Sequence, residues 1–146
     1  MRSLISLVCL SLSLIVAGCG TPPEKRLESP SIQITSLQPV GDGYALRLRF
    51  VNPNTAPLLV SQSTHALSLG NTHLGRFEDK EPVGVPPLAG ASHVAVIKGK
   101  LANEIRNYLD KSSGEVTALV ESSLTITVSG DDTITLKANG RGLVKP

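Results

Sequence analysis

The chain has 146 residues, 40% of them hydrophobic and 18% charged, and a formal net charge of +2; that length suits one modest domain. Fourteen Lys+Arg stand against twelve Asp+Glu, so there is no concentrated basic footprint for nucleic acid, and the apolar fraction is too high for a wholly disordered polypeptide. In chain order, the first element is a segment to be removed: Arg2 is followed by the uncharged run Leu4 to Ala17, the pattern of an export signal. As a helix this run would cover about 21 Å, short of the ~30 Å hydrocarbon layer, so a permanent membrane span is not expected.

The run ends in Val16-Ala17-Gly18-Cys19, which resembles the lipobox of bacterial lipoproteins, where small residues fit the signal peptidase and the cysteine thiol carries the lipid. The resemblance implies cleavage between Gly18 and Cys19, loss of residues 1–18, and a mature chain tied to membrane through lipid on Cys19. Two or three acyl chains, at about 0.8 kcal/mol per buried methylene, make such attachment long-lived where one leaves it marginal. Gly20, rather than Asp, follows the anchor. By the sorting rules of Gram-negative lipoproteins this implies the periplasmic face of the outer membrane. Cys9 falls in the removed segment, so the mature domain has no disulfide available. Residues 19–30 are expected to be the lipidated N-terminus and a flexible tether: from Gly20 to Pro30 there is one large apolar side chain, and a coil of that length spans on the order of 18 Å.

The domain is expected over residues 31–146, where the dominant period is two, the mark of half-buried strands. A first strand begins at Ile32 and Ile34, and its alternation slips at Leu37, which a bulge near Thr35 and Ser36 explains. Gly41-Asp42-Gly43 turns the chain into a second strand, with Tyr44, Leu46, Leu48 and Phe50 on one face and Arg47 and Arg49 on the other. A hairpin is predicted across Gly70-Asn71, with Leu69 opposite Thr72, Leu67 opposite Leu74, and His65 opposite Arg76. The apolar run Val94 to Ile97 predicts a central strand. Leu101, Ile105 and Leu109, with Ala102 and Tyr108 alongside, form the apolar stripe of one helix that plugs a sandwich end and stops at Ser112-Ser113-Gly114. Val116, Ala118 and Val120 alternate in the next strand. A last hairpin is predicted with a three-residue loop, Gly130-Asp131-Asp132, setting Val128 against Ile134, Ile126 against Leu136 and Leu124 against Ala138. About seven strands and one short helix give an all-β expectation: an immunoglobulin-like or fibronectin-like antiparallel β-sandwich.

Tyr44 to Val51 runs directly into Asn52-Pro53-Asn54, followed by an apolar-rich hairpin and then Pro86-Pro87, with Gly90 before the next strand. This order resembles the late-embryogenesis-abundant (LEA) type 2 family, the water-stress and hypersensitive-response (WHy) domain, from about Ile32 to Val144. A strand ending in Asn-Pro-Asn is the family's best-known motif, and a late hairpin closes its sandwich. This chain departs from it where Gly is frequent, at Ser122 or Ser123, and where an aromatic is usual, at His65 or a leucine. The resemblance implies a non-enzymatic protein that protects envelope components in desiccation or osmotic stress. Asn52, Pro53 and Asn54 also have a purely structural account. The residue before proline is held extended, proline lacks a donor, and asparagine tolerates a left-handed turn, so the motif ends a strand.

No catalytic, cofactor or metal constellation emerges. The predicted register puts His65 and His73 on opposite sides of the sheet, where they cannot share an ion, and His93 is expected as a surface or edge residue. Ser92 and His93 are strand neighbours that point apart, and no nucleophile elbow is present. Glu78-Asp79-Lys80-Glu81 is expected to be a solvated loop, and Asp131-Asp132 turn chemistry, because no third acidic ligand follows at calcium-loop spacing. Arg47, Arg49, Lys98, Lys100 and Lys137 form a basic outer stripe if their strands are neighbours. Two further functions stay open: a carrier holding a lipid or other hydrophobic ligand between sheet and helix, and an envelope-assembly adaptor binding a protein at a sheet edge.

Overall fold

The computed structural model describes residues 26–146; the expected signal segment, with Gly18, and the expected anchor Cys19 lie outside the described residues. The period-two alternation becomes eight strands: β1 (Ser31–Val40), β2 (Gly43–Val51), β3 (Leu58–Leu69), β4 (Thr72–Asp79), β5 (Val83–Val85), β6 (Gly90–Ile97), β7 (Val116–Ser129) and β8 (Asp132–Val144). One helix, α1 (Gly99–Leu109), joins β6 to β7. Among the described residues the protein is all-β with a single helix, as expected. Its strands make one curled sheet in the order β4-β3-β7-β8-β1-β2-β6, with β5 added beside β4 on β3. All pairings are antiparallel except β1 with β8, which is parallel through Ile32↔Gly140 and Gln33↔Arg141. The antiparallel sandwich of the sequence reading is therefore a mixed sheet, continuous from one layer to the other through this short parallel seam.

The curl closes on one core. Leu46, Leu48 and Phe50 of β2, Leu67 and Leu69 of β3, and Leu124 and Ile126 of β7 are all fully buried in it. Each such side chain contributes roughly 1.5–3 kcal/mol relative to exposure. The helix turns Leu101, Ala102, Ile105 and Leu109 onto this core, packing against β4 and β2, so its apolar stripe fills the end of the curl as predicted. Its last carbonyls are satisfied by Asp110 N–H to Arg106 O, Ser112 N–H to Leu109 O and the Ser112 hydroxyl to Tyr108 O, which is how the Ser-Ser-Gly stop acts.

The parallel seam depends on two inward glycines of β8. A Cβ on Gly142 would drive into the Ile34 carbonyl oxygen, and one on Gly140 into the side chains of Ile32 and Val120. Gly142→Ala is expected to destabilise the domain by about 2 kcal/mol, as forced overpacking does. The denaturation midpoint reads this, and an unchanged midpoint would mean the seam is not as close as described.

The β1 bulge lies where the slip predicted it, between Ile34 and Ser36. The two later hairpins differ from expectation. Both have two-residue turns and a bulge. In the first, Leu69 opposes Thr72 as predicted, but a shift at Leu67/Ser68 sets Leu67 against Gly75 and His65 against Phe77. In the second, Ser129 opposes Asp132 and a shift between Thr127 and Ser129 follows, so Ile126 meets Ile134, Leu124 meets Leu136, and Ser122 meets Ala138. The bulge keeps apolar positions together, which the three-residue loop was expected to do. The apolar run of β6 also sits elsewhere than expected: β6 ends the sheet path, with Val94 and Val96 outward and Ala95 and Ile97 inward.

Candidate functional site

Pro53 can give no donor to a ladder, so β2 ends at Val51 and the chain leaves the sheet. Asn52 turns its amide inward, 1% exposed. Its Nδ2 donates to the carbonyls of Ala56 (2.8 Å), Pro86 (3.1 Å) and Val85 (3.3 Å). Its Oδ1 accepts from Asn54 N–H and Asn54 Nδ2, both at 2.9 Å. Backbone bonds run alongside, from Asn52 N–H to Ala89 O and from Leu88 N–H to Asn54 O. Asn54 also exchanges hydrogen bonds with the Glu28 backbone: its Nδ2 donates to Glu28 O (2.9 Å) and its Oδ1 accepts from Glu28 N–H (2.8 Å). The motif does end a strand, and it also cross-links the β2–β3 link, the β5–β6 link and the incoming chain. The expected tether is thus docked over its last residues, where Leu27 packs against the core and Pro30 is buried.

A second polar cluster lies inside the curl. His65 of β3 is fully buried, and its Nε2 is 2.8 Å from Ser63 Oγ and its Nδ1 2.7 Å from Ser122 Oγ, while the Phe77 ring stacks obliquely 5.0 Å away. Burial pushes its pKa down from 6.5 to about 4; the nearby Asp79 carboxylate raises it and His93 lowers it further. The imidazole is therefore neutral at pH 7, with one nitrogen donating and the other accepting, and the serine hydroxyls rotate to match. Asp79, expected in a solvated loop, ends β4 with its carboxylate 2.5 Å from His93 Nε2, and both side chains are mostly buried. His93 is on an edge strand, as expected, but its ring faces inward. Because β4 and β6 are the two ends of the sheet path, this pair bridges the gap where the curl closes. His73 is exposed on the other face from His65, and among the described residues no three metal-ligating side chains converge. Ser63 and Ser122 touch the imidazole nitrogens and are themselves buried, so the polar atoms of this cluster are satisfied within the fold.

Among the described residues, clefts open on the surface at two places of note. The larger, about 740 Å³, lies between the β1 bulge, the end of α1 and the C-terminus, and mixes Leu37, Tyr44 and Leu143 with Thr35, Asp110 and Lys145. The smaller, about 310 Å³, runs over the outer face of the β4-β3-β7-β8 half past Thr64, Arg76, Glu121 and Lys137. The larger cleft reaches the end of α1, whereas the helix stripe itself, under which a hydrophobic ligand was expected, is packed into the core. The basic residues divide. Arg47 and Arg49 are outward on β2, while Lys137 is in the smaller cleft and Lys98 is 3.9 Å from Asp42. Arg141 lies across Gln33 from Arg49, a proximity that only the parallel seam creates.

No protein-family model and no curated protein matches the chain. Solved structures do resemble it in fold. An Arabidopsis thaliana protein solved in solution superposes with TM-score 0.57 at 16% identity, over 87% of this chain and 89% of that one. A solution structure of a proposed LEA protein superposes with TM-score 0.52 at 14% identity, over 99% of this chain and 84% of that one. The all-β fold is thus one that a proposed LEA protein also has.

Proposed function

We propose that this chain is a lipid-anchored, non-enzymatic protein of the cell envelope with a WHy-like domain that protects envelope components during desiccation or osmotic stress. One observation carries the reading: a proposed LEA protein has a fold that covers 99% of this chain, in which Asn52-Pro53-Asn54 closes β2 as the family motif would. The lipobox-like Val16 to Cys19 supplies the anchor. The helix stripe packs into the core instead of roofing a space above the sheet, which favours protection over a ligand carried beneath the helix. In the host cell, labelled palmitate is expected to enter the wild type and to be lost in Cys19→Ala, with the protein moving from the membrane to the soluble fraction. A deletion strain is expected to survive drying and hyperosmotic shock worse than its parent; equal survival would refute the protective role and leave the anchor standing.

The adaptor reading has one observation in its favour: β6 is a free sheet edge carrying outward Val94 and Val96. Crosslinking from Val96 in intact cells would capture a single envelope protein if that reading is right and the protective one is wrong.

A further inference from the structure

We propose that the domain end bearing Leu88 is a lipid-contacting tip that rests in the membrane interface beside the acylated N-terminus, an inference that builds on lipid attachment at Cys19. Leu88 is 69% exposed, the highest among the exposed large apolar side chains. It is also the one non-glycine residue among the described residues with positive φ, at 49°. A left-handed backbone is costly for leucine, and Gly or Asn would adopt it more readily. The surroundings over-determine the strained geometry: Leu88 N–H donates to Asn54 O, the next carbonyl accepts from Asn52 N–H, and Pro86 and Pro87 stiffen the approach. A fixed, strained backbone that points a leucine into solvent is accounted for if the side chain meets something apolar outside the domain.

The position of the incoming chain says what that is. Asn54 holds both Leu88 N–H and the Glu28 backbone, so the polypeptide from Cys19 arrives at this same end. Nine Cα–Cα steps separate Cys19 from Glu28, and even fully extended they reach at most roughly 30 Å. An acylated Cys19 therefore keeps the Leu88 end next to the lipid, whereas the β1–β2 turn lies at the other end of β2. The exposed residues of the two loops suit an interface. Pro53, Thr55, Ala56 and Pro57 in one and Pro86, Pro87 and Leu88 in the other carry no charge, and no Asp, Glu, Lys or Arg occurs from Phe50 to Gly75 or from Pro82 to Ile97. Charges of both signs flank this end, Glu28, Asp131 and Asp132 against Arg49, whose guanidinium lies beside Gly90, so the contact rests on the uncharged loops and is expected to persist in high salt.

The test uses the full-length protein purified from membranes and reconstituted into vesicles of phosphatidylethanolamine and phosphatidylglycerol. The mass of its N-terminal peptide reports acylation of Cys19 independently. An environment-sensitive fluorophore on Leu88→Cys is expected to shift to the blue and to be quenched by nitroxide-labelled lipid, in 0.1 M and 1 M salt alike, while the same probe on Asp42→Cys stays in water. In Leu88→Asn the backbone strain is relieved and the fold is retained. A probe on Ala56→Cys in that background is expected to lose its quenching to the level of the Asp42 probe. An acylated protein whose Leu88 probe is as wet as the Asp42 probe overturns the tip and leaves the anchor reading intact. A protein with no lipid on Cys19 overturns the anchor, and the tip with it.

Discussion

Asn52→Ala is expected to cost the domain about 4 kcal/mol, enough to leave many small domains largely unfolded at physiological temperature. The side chain is 1% exposed and reaches three carbonyls and two donors. Truncation would strand several buried polar groups at about 1–3 kcal/mol each. Asn52→Asp separates hydrogen bonding from shape. It is isosteric, but it replaces the donor that faces Ala56, Val85 and Pro86 with an acceptor, so it should be at least as harmful as alanine. Asn54→Ala, whose bonds to Glu28 are exposed, should cost only about 1 kcal/mol. Denaturant midpoints at constant m-value measure all three. Near-neutral Asn52→Asp would show that the buried amide is not the cross-link described.

That contrast shows what the motif disclosed in the sequence and what it withheld. Proline and asparagine announce the end of β2 locally. Two of the carbonyls that Asn52 reaches, those of Val85 and Pro86, lie 33 and 34 residues downstream and leave no local mark. Bulges were legible on the same principle. Ile34 and Leu37 both point inward at a spacing of three, and that odd spacing revealed the β1 bulge. Leu74 and Phe77 stand at the same spacing and mark the β4 bulge equally well, but Gly75 between them carries no side chain to declare its face. In β7 the slip at Val128 is hidden by an exposed valine that alternates with Ile126 as though it were core. The apolar run Val94 to Ile97 announced a strand, but not that its outer valines line an edge. Pairings between chain-distant strands, β8 with β1 above all, follow from closure of the whole curl rather than from any local pattern. The polar interior was missed for a related reason: His65, His93 and Asp79 come from three strands, and their meeting depends on the β4 bulge and on the curl together.

The largest pH effect is expected from His65. In the unfolded chain it takes up a proton near 6.5, whereas in the fold burial holds this back until about 4. Above pH 6.5 the residue is neutral in both states. Between 6.5 and 4 the unfolded state binds the proton and the folded state does not, so stability falls as pH falls, by about 3 kcal/mol over this window. Carboxylates add their own acid sensitivity, so the measurement is a difference between proteins. His65→Gln can still pair with one of the two serines but cannot ionise. Relative to this variant, the stability advantage of the wild type should shrink by about 3 kcal/mol between pH 7 and pH 4. The Asp79 carboxylate acts in the other direction, favouring the charged ring. Asp79→Asn should therefore move the His65 titration, followed by the NMR shifts of its ring protons, still lower. It should also release His93 and loosen the gap between β4 and β6. A ring that titrates near 6.5 in the folded protein, or a wild-type advantage that does not change with pH, would mean that His65 is open to water and that the curl is not closed at this end.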